Sequence, residues 1–430
     1  MNNISQSSIS VSVDFYNDDE KEKLLRYPTM DNIQSIVDNG IEIPTAEFLT
    51  YYLFKRKRPG KEGYRGYQQL GLLIHRSLID LKDWVLFNGN SICSAQDIGE
   101  MDISITEKIG ESISLSVMNR IHGMTEADWG KIPERRGRGA YPVFDYSHSV
   151  DSITGSDGQY IVQVESKGSS VLDNRKISAS ISNHKANILN KKYRIDELEQ
   201  QNSYPHEAGL RYGSITAIDQ RQNGIIKCRL VDPAPEHSPI LPQNLQLINR
   251  VRFLYDWISF ISPRSQLSSS LATRLAALET LENPFELDKT PLYKGNGENF
   301  SIFPFDVFSH QPCGFFSNKS YVTDGPSGGV TLQLPNREML FIGIMEDLIF
   351  QALDQNFENI LSYEHYPGSI SKRVRCFFSK GRYDKLILPD HVEDRVIDAA
   401  PYKSFDLFGE LHYSREGTVF GILHFEQRET

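Results

Sequence analysis

The strongest constraint on this fold is a change of apolar period in the middle of the chain. Two strand pairs are predicted there, one at 141–149 and 159–165 and the other at 212–218 and 225–231. A helix predicted over 175–192 separates the two pairs. Strands and helix therefore alternate, which predicts a central α/β region.

The flanking regions extend this into a multidomain α+β protein. We predict a mainly helical N-terminal domain over 1–98, a central domain over 99–240, and an α+β C-terminal domain over 241–430. The second boundary follows a proline-rich segment, 232–242. The C-terminal domain is expected to serve target recognition, a protein partner or homo-oligomerisation.

Composition narrows the class of protein. The 430 residues carry a net charge of −10, which argues against a protein coated in nucleic acid but allows a local basic groove. The apolar runs are too short to span a bilayer, and the N-terminus lacks the pattern of a secretory signal. The four cysteines are scattered, so no disulfide framework or local zinc site is expected. These features predict a cytoplasmic protein without membrane contact.

Three residues of the first strand pair carry the best chemical pattern: Asp145, Glu165 and Lys167. Side chains two apart on a strand share a face, so Glu165 and Lys167 point together, and Asp145 reaches them from the neighbouring strand. Mg²⁺ takes oxygen ligands and keeps several waters, so one or two carboxylates suffice. Such an ion stabilises charge on phosphoryl oxygens and supplies hydroxide near neutral pH. The set predicts phosphodiester hydrolysis, with Mg²⁺ (or Mn²⁺) on Asp145 and Glu165, and Lys167 orienting the attacking water.

Spacing alone is weak support for this prediction. The tripeptides Asp19-Glu20-Lys21 and Asp80-Leu81-Lys82 have the same acidic-x-Lys pattern. Only Glu165-Ser166-Lys167 closes an apolar strand and follows an acidic residue on the preceding strand. A structural ion pair at a sheet edge remains the alternative interpretation.

The pattern Asp145 … Glu165-Ser166-Lys167 resembles the motif of the PD-(D/E)xK, or restriction-endonuclease-like, nuclease superfamily. The resemblance covers roughly residues 100–235. It implies a mixed β-sheet flanked by helices, and a Mg²⁺-dependent endonuclease that acts on DNA. It also implies that Asp145, Glu165 and the backbone carbonyl of Ser166 hold the metal, and that Lys167 is the catalytic lysine.

Two positions of the family pattern stay open. Many members add an acidic residue on the preceding helix, for which Glu111 is the first choice and Glu107, one turn earlier, the second. The Pro-Asp dipeptide of the family is replaced here by Phe144-Asp145. Asp151 therefore remains a rival of Asp145 as the first metal ligand.

Basic residues near the motif and in a proline–glycine loop are candidate phosphate contacts. They are Lys55, Arg56, Lys57, Arg58, Arg136, Arg138, His184 and Lys185. An ordinary exposed loop or a solvated helix face explains the same residues without nucleic acid.

The main hypothesis is a Mg²⁺-dependent DNA endonuclease, of the kind that serves bacterial restriction or anti-phage defence. One alternative is an effector that cleaves RNA with the same core. The other is a non-catalytic module that binds nucleic acid or protein. A nuclease must bind a divalent cation through Asp145 and Glu165, whereas a binding module would tolerate loss of Lys167.

Overall fold

The chain forms two compact units in the computed structural model. The central unit comprises residues 2–52 and 79–249, and the C-terminal unit comprises 53–78 and 250–430. The structure describes residues 8–26, 30–55, 67–95, 102–134, 137, 140–151, 159–206, 208–220, 225–231, 245–261, 266–280, 327–334, 337–379, 395–396 and 402–425.

The central unit is built on a mixed seven-stranded sheet of order β2-β1-β9-β8-β7-β6-β5. Its strands are β1 (Ser8–Phe15), β2 (Ile41–Pro44), β5 (Gly130–Lys131), β6 (Tyr146–Asp151), β7 (Gln159–Val171), β8 (Leu210–Asp219) and β9 (Ile226–Val231). A two-stranded sheet, β3 (Val85–Asn88) with β4 (Ser91–Ser94), belongs to the same unit. The pairs β7–β8 and β1–β9 are parallel, and the other neighbours in the large sheet are antiparallel.

Seven helices follow the chain between Asp18 and Ile261. They are α1 (Asp18–Leu24), α2 (Met30–Asn39), α3 (Thr45–Phe54), α4 (Tyr67–Trp84), α5 (Ile103–His122), α6 (Ala179–Gln200) and α7 (Leu245–Ile261). The Asp102 side chain accepts from the Ser104 N–H at the start of α5, and Ser178 caps α6 in the same way through Ile181 N–H. These caps satisfy backbone donors that the first turn of a helix leaves unpaired.

Helices α5 and α6 cover opposite faces of β7 and β8. A Cβ on Gly168 would lie 2.0 Å from the Thr106 carbonyl oxygen of α5, so β7 and α5 are in backbone contact there. A Cβ on Gly213, in β8, would instead lie 2.8 Å from the Ile188 side chain of α6. Because side chains alternate along a strand, odd-numbered residues of β7 face α6 and even-numbered residues face α5.

The C-terminal unit contains a separate antiparallel sheet of order β10-β11-β15-β14-β12, with β13 paired to β14. Its strands are β10 (Ser327–Gln333), β11 (Met339–Met345), β12 (Gly368–Ser379), β13 (Arg395–Val396), β14 (Tyr402–Tyr413) and β15 (Thr418–Phe425). The remaining helices are α8 (Gln266–Thr280), α9 (Glu346–Leu353) and α10 (Phe357–Ser362). In its core, β11 and β15 are buried almost throughout.

The predicted α+β class is confirmed, with differences in detail. Strand β7 does not end at the motif but continues to Val171, because residues 162–171 pair with β8 along their whole length. Helix α5 begins at Ile103, directly after the Asp102 cap. In the C-terminal unit α9 and α10 are separate helices, with Gln355 at positive φ between them.

The two units also divide the chain differently from the three predicted domains. Strands β1 and β2, inside the predicted N-terminal helical domain, belong to the large sheet, where β1 pairs with β9. Apolar alternation in the short segment 9–13 could not show that its partner lies more than 200 residues away. Among the described helices, none combines the length and apolarity needed to cross a membrane.

Candidate functional site

The site lies on the α6 face of β7, where β6 stops pairing with it. Strand β6 pairs with β7 from Gln159 to Val164, and Tyr146 lies opposite Val164. Asp145 therefore comes next to Glu165, and its backbone N–H donates to the Val164 carbonyl at 3.1 Å. The two carboxylates are brought together by strand register, as the sequence predicts.

Glu165 is fully buried, and its two carboxylate oxygens have different surroundings. Oε1 accepts from Lys167 Nζ at 2.7 Å and from Lys191 Nζ at 2.6 Å. Oε2 is buried and has no hydrogen-bond partner within the described part of the chain. A buried carboxylate oxygen without a partner costs free energy, so this half of Glu165 is stabilised only when a cation or donor arrives.

Asp145 is held at the edge of β7. Its Oδ2 accepts from the Ser166 backbone N–H at 2.9 Å. Burial, and after it the negative charge of Glu165, raise the pKa of Asp145 to about 7, against the opposing effects of Lys167, the Ser166 hydrogen bond and Lys191. Two neighbouring carboxylates whose charges repel are an arrangement that a divalent cation relieves.

Lys167 points to the same face as Glu165, as its spacing of two predicts. Burial acts to lower the pKa of Lys167, but the charges of Glu165, Asp145 and Glu107 outweigh it, so the pKa is raised. The ammonium form is thereby favoured in the site. Lys167 can therefore stabilise negative charge or orient a water, and it is poorly suited to act as a neutral base.

His184 lies on α6 beside the same stretch of β7. Burial lowers its pKa and the charge of Lys167 lowers it further, while a hydrogen bond to the Gly168 backbone and the charge of Glu107 oppose the shift. His184 is therefore favoured as a neutral imidazole next to the motif, and its contact with nucleic acid stays a prediction.

Glu111, the first choice for the helical acidic residue, lies on the other face of the sheet. It is buried and accepts a hydrogen bond from the Tyr146 hydroxyl. Tyr146 lies opposite Val164, whose side chain faces α5, so Glu111 is separated from Glu165 by the sheet. Glu107 is exposed and close enough to act on both Lys167 and His184. The structure therefore favours Glu107 over Glu111 as the helical acidic residue. The two are one turn of α5 apart: Glu107 is near the edge of β7, and Glu111 lies behind the sheet.

The register also separates Asp151 from the site. Asp151 pairs with Gln159, six residues before Glu165 on β7. At about 3.3 Å per residue, this places it on the order of 20 Å along the strand from Glu165. Asp145 is therefore the aspartate beside Glu165.

These residues fit a hard divalent cation. Asp145 and Glu165 supply carboxylate oxygens, of which Glu165 Oε2 is buried without a partner. Since the N–H and C=O of a strand residue point to the same edge, the Ser166 carbonyl faces the edge where its N–H meets Asp145. Among the described residues, no group of three or more His, Cys, Asp or Glu side chains gathers as a metal site. Mg²⁺ suits such a place because it needs few protein ligands and keeps its waters.

The candidate phosphate contacts have different outcomes. Lys55 is only 6% exposed, so it is not on an open basic loop as the sequence suggested. Lys185 pairs with buried Glu20 at 2.8 Å and lies 4.3 Å from the ring centre of Tyr16, so it already has partners within the fold. The other five predicted basic contacts lie outside the described residues: Arg56, Lys57, Arg58, Arg136 and Arg138.

Lys191 is the site residue whose role the sequence did not reveal. Besides Glu165, its Nζ donates to the Val143 carbonyl at 2.9 Å. The available signal was helical spacing, since Lys191 follows His184 and buried Ile188 on one face of α6. Its partner could not be read from the sequence, because the contact depends on how α6 crosses β7.

Comparison with known proteins adds no relative: no family model, no curated protein and no solved structure matches this chain.

Proposed function

We propose that this protein is a Mg²⁺-dependent nuclease that hydrolyses phosphodiester bonds of DNA. The observation that carries the proposal is the Glu165 carboxylate, with Lys167 on one oxygen and a buried, unpartnered second oxygen beside Asp145. A restriction-endonuclease-like core is part of the proposal, supported by the mixed sheet with α5 and α6 on its two faces. DNA as the polymer, and a role in restriction or anti-phage defence, rest on the motif resemblance.

The residues divide the chemistry between them. Asp145, Glu165 and the Ser166 carbonyl would hold the cation, which supplies charge stabilisation and an activated water when bound. Lys167 is kept protonated by its acidic neighbours and would hold the attacking water or a phosphate oxygen in place. The Ser166 N–H fixes the Asp145 carboxylate, which keeps the two acidic side chains together.

Cleavage assays test the proposal directly. Plasmid, linear and single-stranded DNA, and RNA, would be incubated with Mg²⁺, Mn²⁺ or EDTA. We expect metal-dependent cleavage that falls at least about a hundredfold in Lys167→Ala and Asp145→Ala, because each removes charge stabilisation from the reacting phosphate. Cleavage of RNA alone would replace DNA as the substrate.

A matched control comes from a second acidic-x-Lys tripeptide. Lys21 ends the tripeptide Asp19-Glu20-Lys21 on α1, and its exposed side chain is away from the motif. Lys21→Ala is expected to cleave like the wild type. Cleavage that survives Lys167→Ala and Asp145→Ala would contradict the assigned site.

One observation favours the second candidate, a non-catalytic binding module. Two lysines already neutralise Glu165, as a structural ion-pair cluster would require. Calorimetric titration with Mn²⁺ separates the two functions. Binding that is lost when Asp145 and Glu165 are both replaced by amides supports the nuclease, and absence of binding in the wild type supports the module.

A further inference from the structure

Lys191 contributes a second ammonium group to the site. Its Nζ lies 2.6 Å from Glu165 Oε1 and 2.9 Å from the Val143 carbonyl oxygen. Its side chain is 27% exposed, whereas that of Glu165 is 1% exposed. A positive charge thus sits between a carboxylate oxygen and a backbone carbonyl oxygen, the two ligand types that hard divalent cations prefer.

The two lysines that pair with Glu165 differ in the interactions that each would keep if a cation bound that carboxylate. Lys167 is also stabilised by the charges of Asp145 and Glu107. The other hydrogen bond of Lys191 goes to the neutral Val143 carbonyl. Both side chains are 27% exposed and both ammonium groups act on Asp145, so the difference between them is the neutral carbonyl beside Lys191 and the charged Glu107 beside Lys167. Lys191 is therefore the exchangeable partner and Lys167 the fixed one.

We propose that Lys191 is a built-in counter-ion that competes with the divalent cation for Glu165. It neutralises Glu165 while the site holds no metal, and its positive charge on Oε1 opposes an ion that binds through the open oxygen Oε2. The Lys191–Glu165 pair therefore sets the cation concentration at which the site fills. This inference rests on the proposed function, because it requires that Asp145 and Glu165 bind a metal.

Calorimetric titration of Mn²⁺ into wild type and Lys191→Gln tests the competition without relying on activity. Removing a positive charge that lies 2.6 Å from Glu165 Oε1 is expected to tighten Mn²⁺ binding by about tenfold or more, because that charge repels the ion. Lys185→Gln is the matched control. It breaks an ion pair of similar length, 2.8 Å, on the same helix, but with Glu20, so its Mn²⁺ affinity is expected to equal that of the wild type.

The outcomes separate this inference from the proposed function. An affinity of Lys191→Gln equal to or weaker than that of the wild type, while the wild type binds Mn²⁺, overturns the inference alone. No binding by any of the proteins overturns both proposals. Tightening in both Lys191→Gln and Lys185→Gln also overturns the inference, because it reflects loss of any positive charge on α6.

A second measurement uses only the wild-type chain, so it stands even if the variant does not fold. Limited acetylation with acetic anhydride, followed by mass spectrometry, reports how accessible each lysine amine is. Saturating Mg²⁺ is expected to raise acetylation of Lys191 about threefold or more, because the released ammonium moves into solvent, and to leave Lys185 unchanged. Unchanged acetylation of Lys191 in protein that binds the ion overturns the inference.

Discussion

Two charged clusters on the same face of β7 have opposite character. Two residues before Glu165, Gln163 accepts from buried Arg211 of β8 at 3.2 Å. Arg211 also forms a two-pronged ion pair with Glu199 of α6, and the Gln163 amide donates to the His206 carbonyl at 3.0 Å. We call this set the Arg211 cluster, and the set of Asp145, Glu165, Lys167 and Lys191 the Glu165 cluster.

The Arg211 cluster is satisfied by its own members, whereas the Glu165 cluster is not. The buried Arg211 guanidinium donates to both oxygens of the Glu199 carboxylate and to the Gln163 amide oxygen, so it is paired within the fold. Glu165 instead has two donors on one oxygen and none on the other. A buried charge is therefore not by itself a sign of a functional site in this sheet. The Glu165 cluster, which lacks a partner for one oxygen, is the better candidate for such a site.

The largest expected effect comes from breaking the Arg211 cluster. Arg211→Met is expected to lower the free energy of unfolding by about 3–5 kcal/mol, because it leaves Glu199 and Gln163 without their partner. Guanidinium denaturation measures the change. The control is Arg175→Met, whose arginine pairs with Asp173 at 3.0 Å but is 70% exposed, so a loss below about 1 kcal/mol is expected. Equal losses in the two variants would contradict the structural role of the cluster.

A smaller loss is expected where α5 meets β7 beside the Glu165 cluster. Gly168→Ala places a methyl group against the Thr106 carbonyl, and neither backbone can move freely, so we expect a loss of about 2–3 kcal/mol in thermal or chemical unfolding. Gly368→Ala, where a Cβ meets nothing within 4 Å, serves as the control and is expected to be nearly neutral. Equal stability of Gly168→Ala and wild type would mean that α5 does not approach β7 this closely.

The smallest expected change in the free energy of unfolding is a stabilisation, and it tests how much the Glu165 cluster destabilises the fold without a metal. In EDTA, Asp145→Asn is expected to stabilise the protein by about 1 kcal/mol at pH 8, since it removes a repelling buried charge and keeps an acceptor for Ser166 N–H. Burial and then Glu165 raise the pKa of Asp145 from 3.8 to about 7, so the native state binds more protons than the unfolded state across that window. Stability attributable to Asp145 therefore falls as pH rises from about 4 to 7.

The pH dependence supplies the check on that prediction. The stabilisation by Asp145→Asn should be present above about pH 7 and vanish well below the unfolded-state pKa of 3.8, where Asp145 is protonated in both states. Unfolding curves of both proteins at several pH values in EDTA measure this difference. A variant less stable than the wild type at pH 8 would show that the Asp145 charge stabilises the metal-free fold.

Sequence reasoning was most successful where the residues of one strand pair decide the geometry. The spacing of Glu165 and Lys167 predicts their shared face, and the turn-linked strand pair brings Asp145 beside them. The sequence put Glu111 ahead of Glu107, but it could not separate them reliably because both lie on one side of α5. The close packing at Gly168 shows which turn of α5 reaches the edge of β7.

Long-range contacts account for the rest. Lys191, Arg211 and Glu20 each look like ordinary charged residues, and their roles follow from how α6 crosses the sheet. A run of charged residues such as 18–23 is typical of a solvated surface, yet Glu20 within it is buried and ion-paired. The periodicity of one segment shows which of its residues share a face, but not which residue of another segment they contact.

The hydrogen bond between Asp145 and Ser166 also changes the edge that β7 offers to a further strand. Beyond Val164, β7 continues past the last residue of its pairing with β6, and a strand edge of that kind is a template on which a second chain can add. The Asp145 carboxylate takes up the Ser166 donor at this edge and places a charge there. Because Asp145 occupies a donor that an added strand would need, its replacement by an apolar residue is expected to leave this edge more open to strand addition.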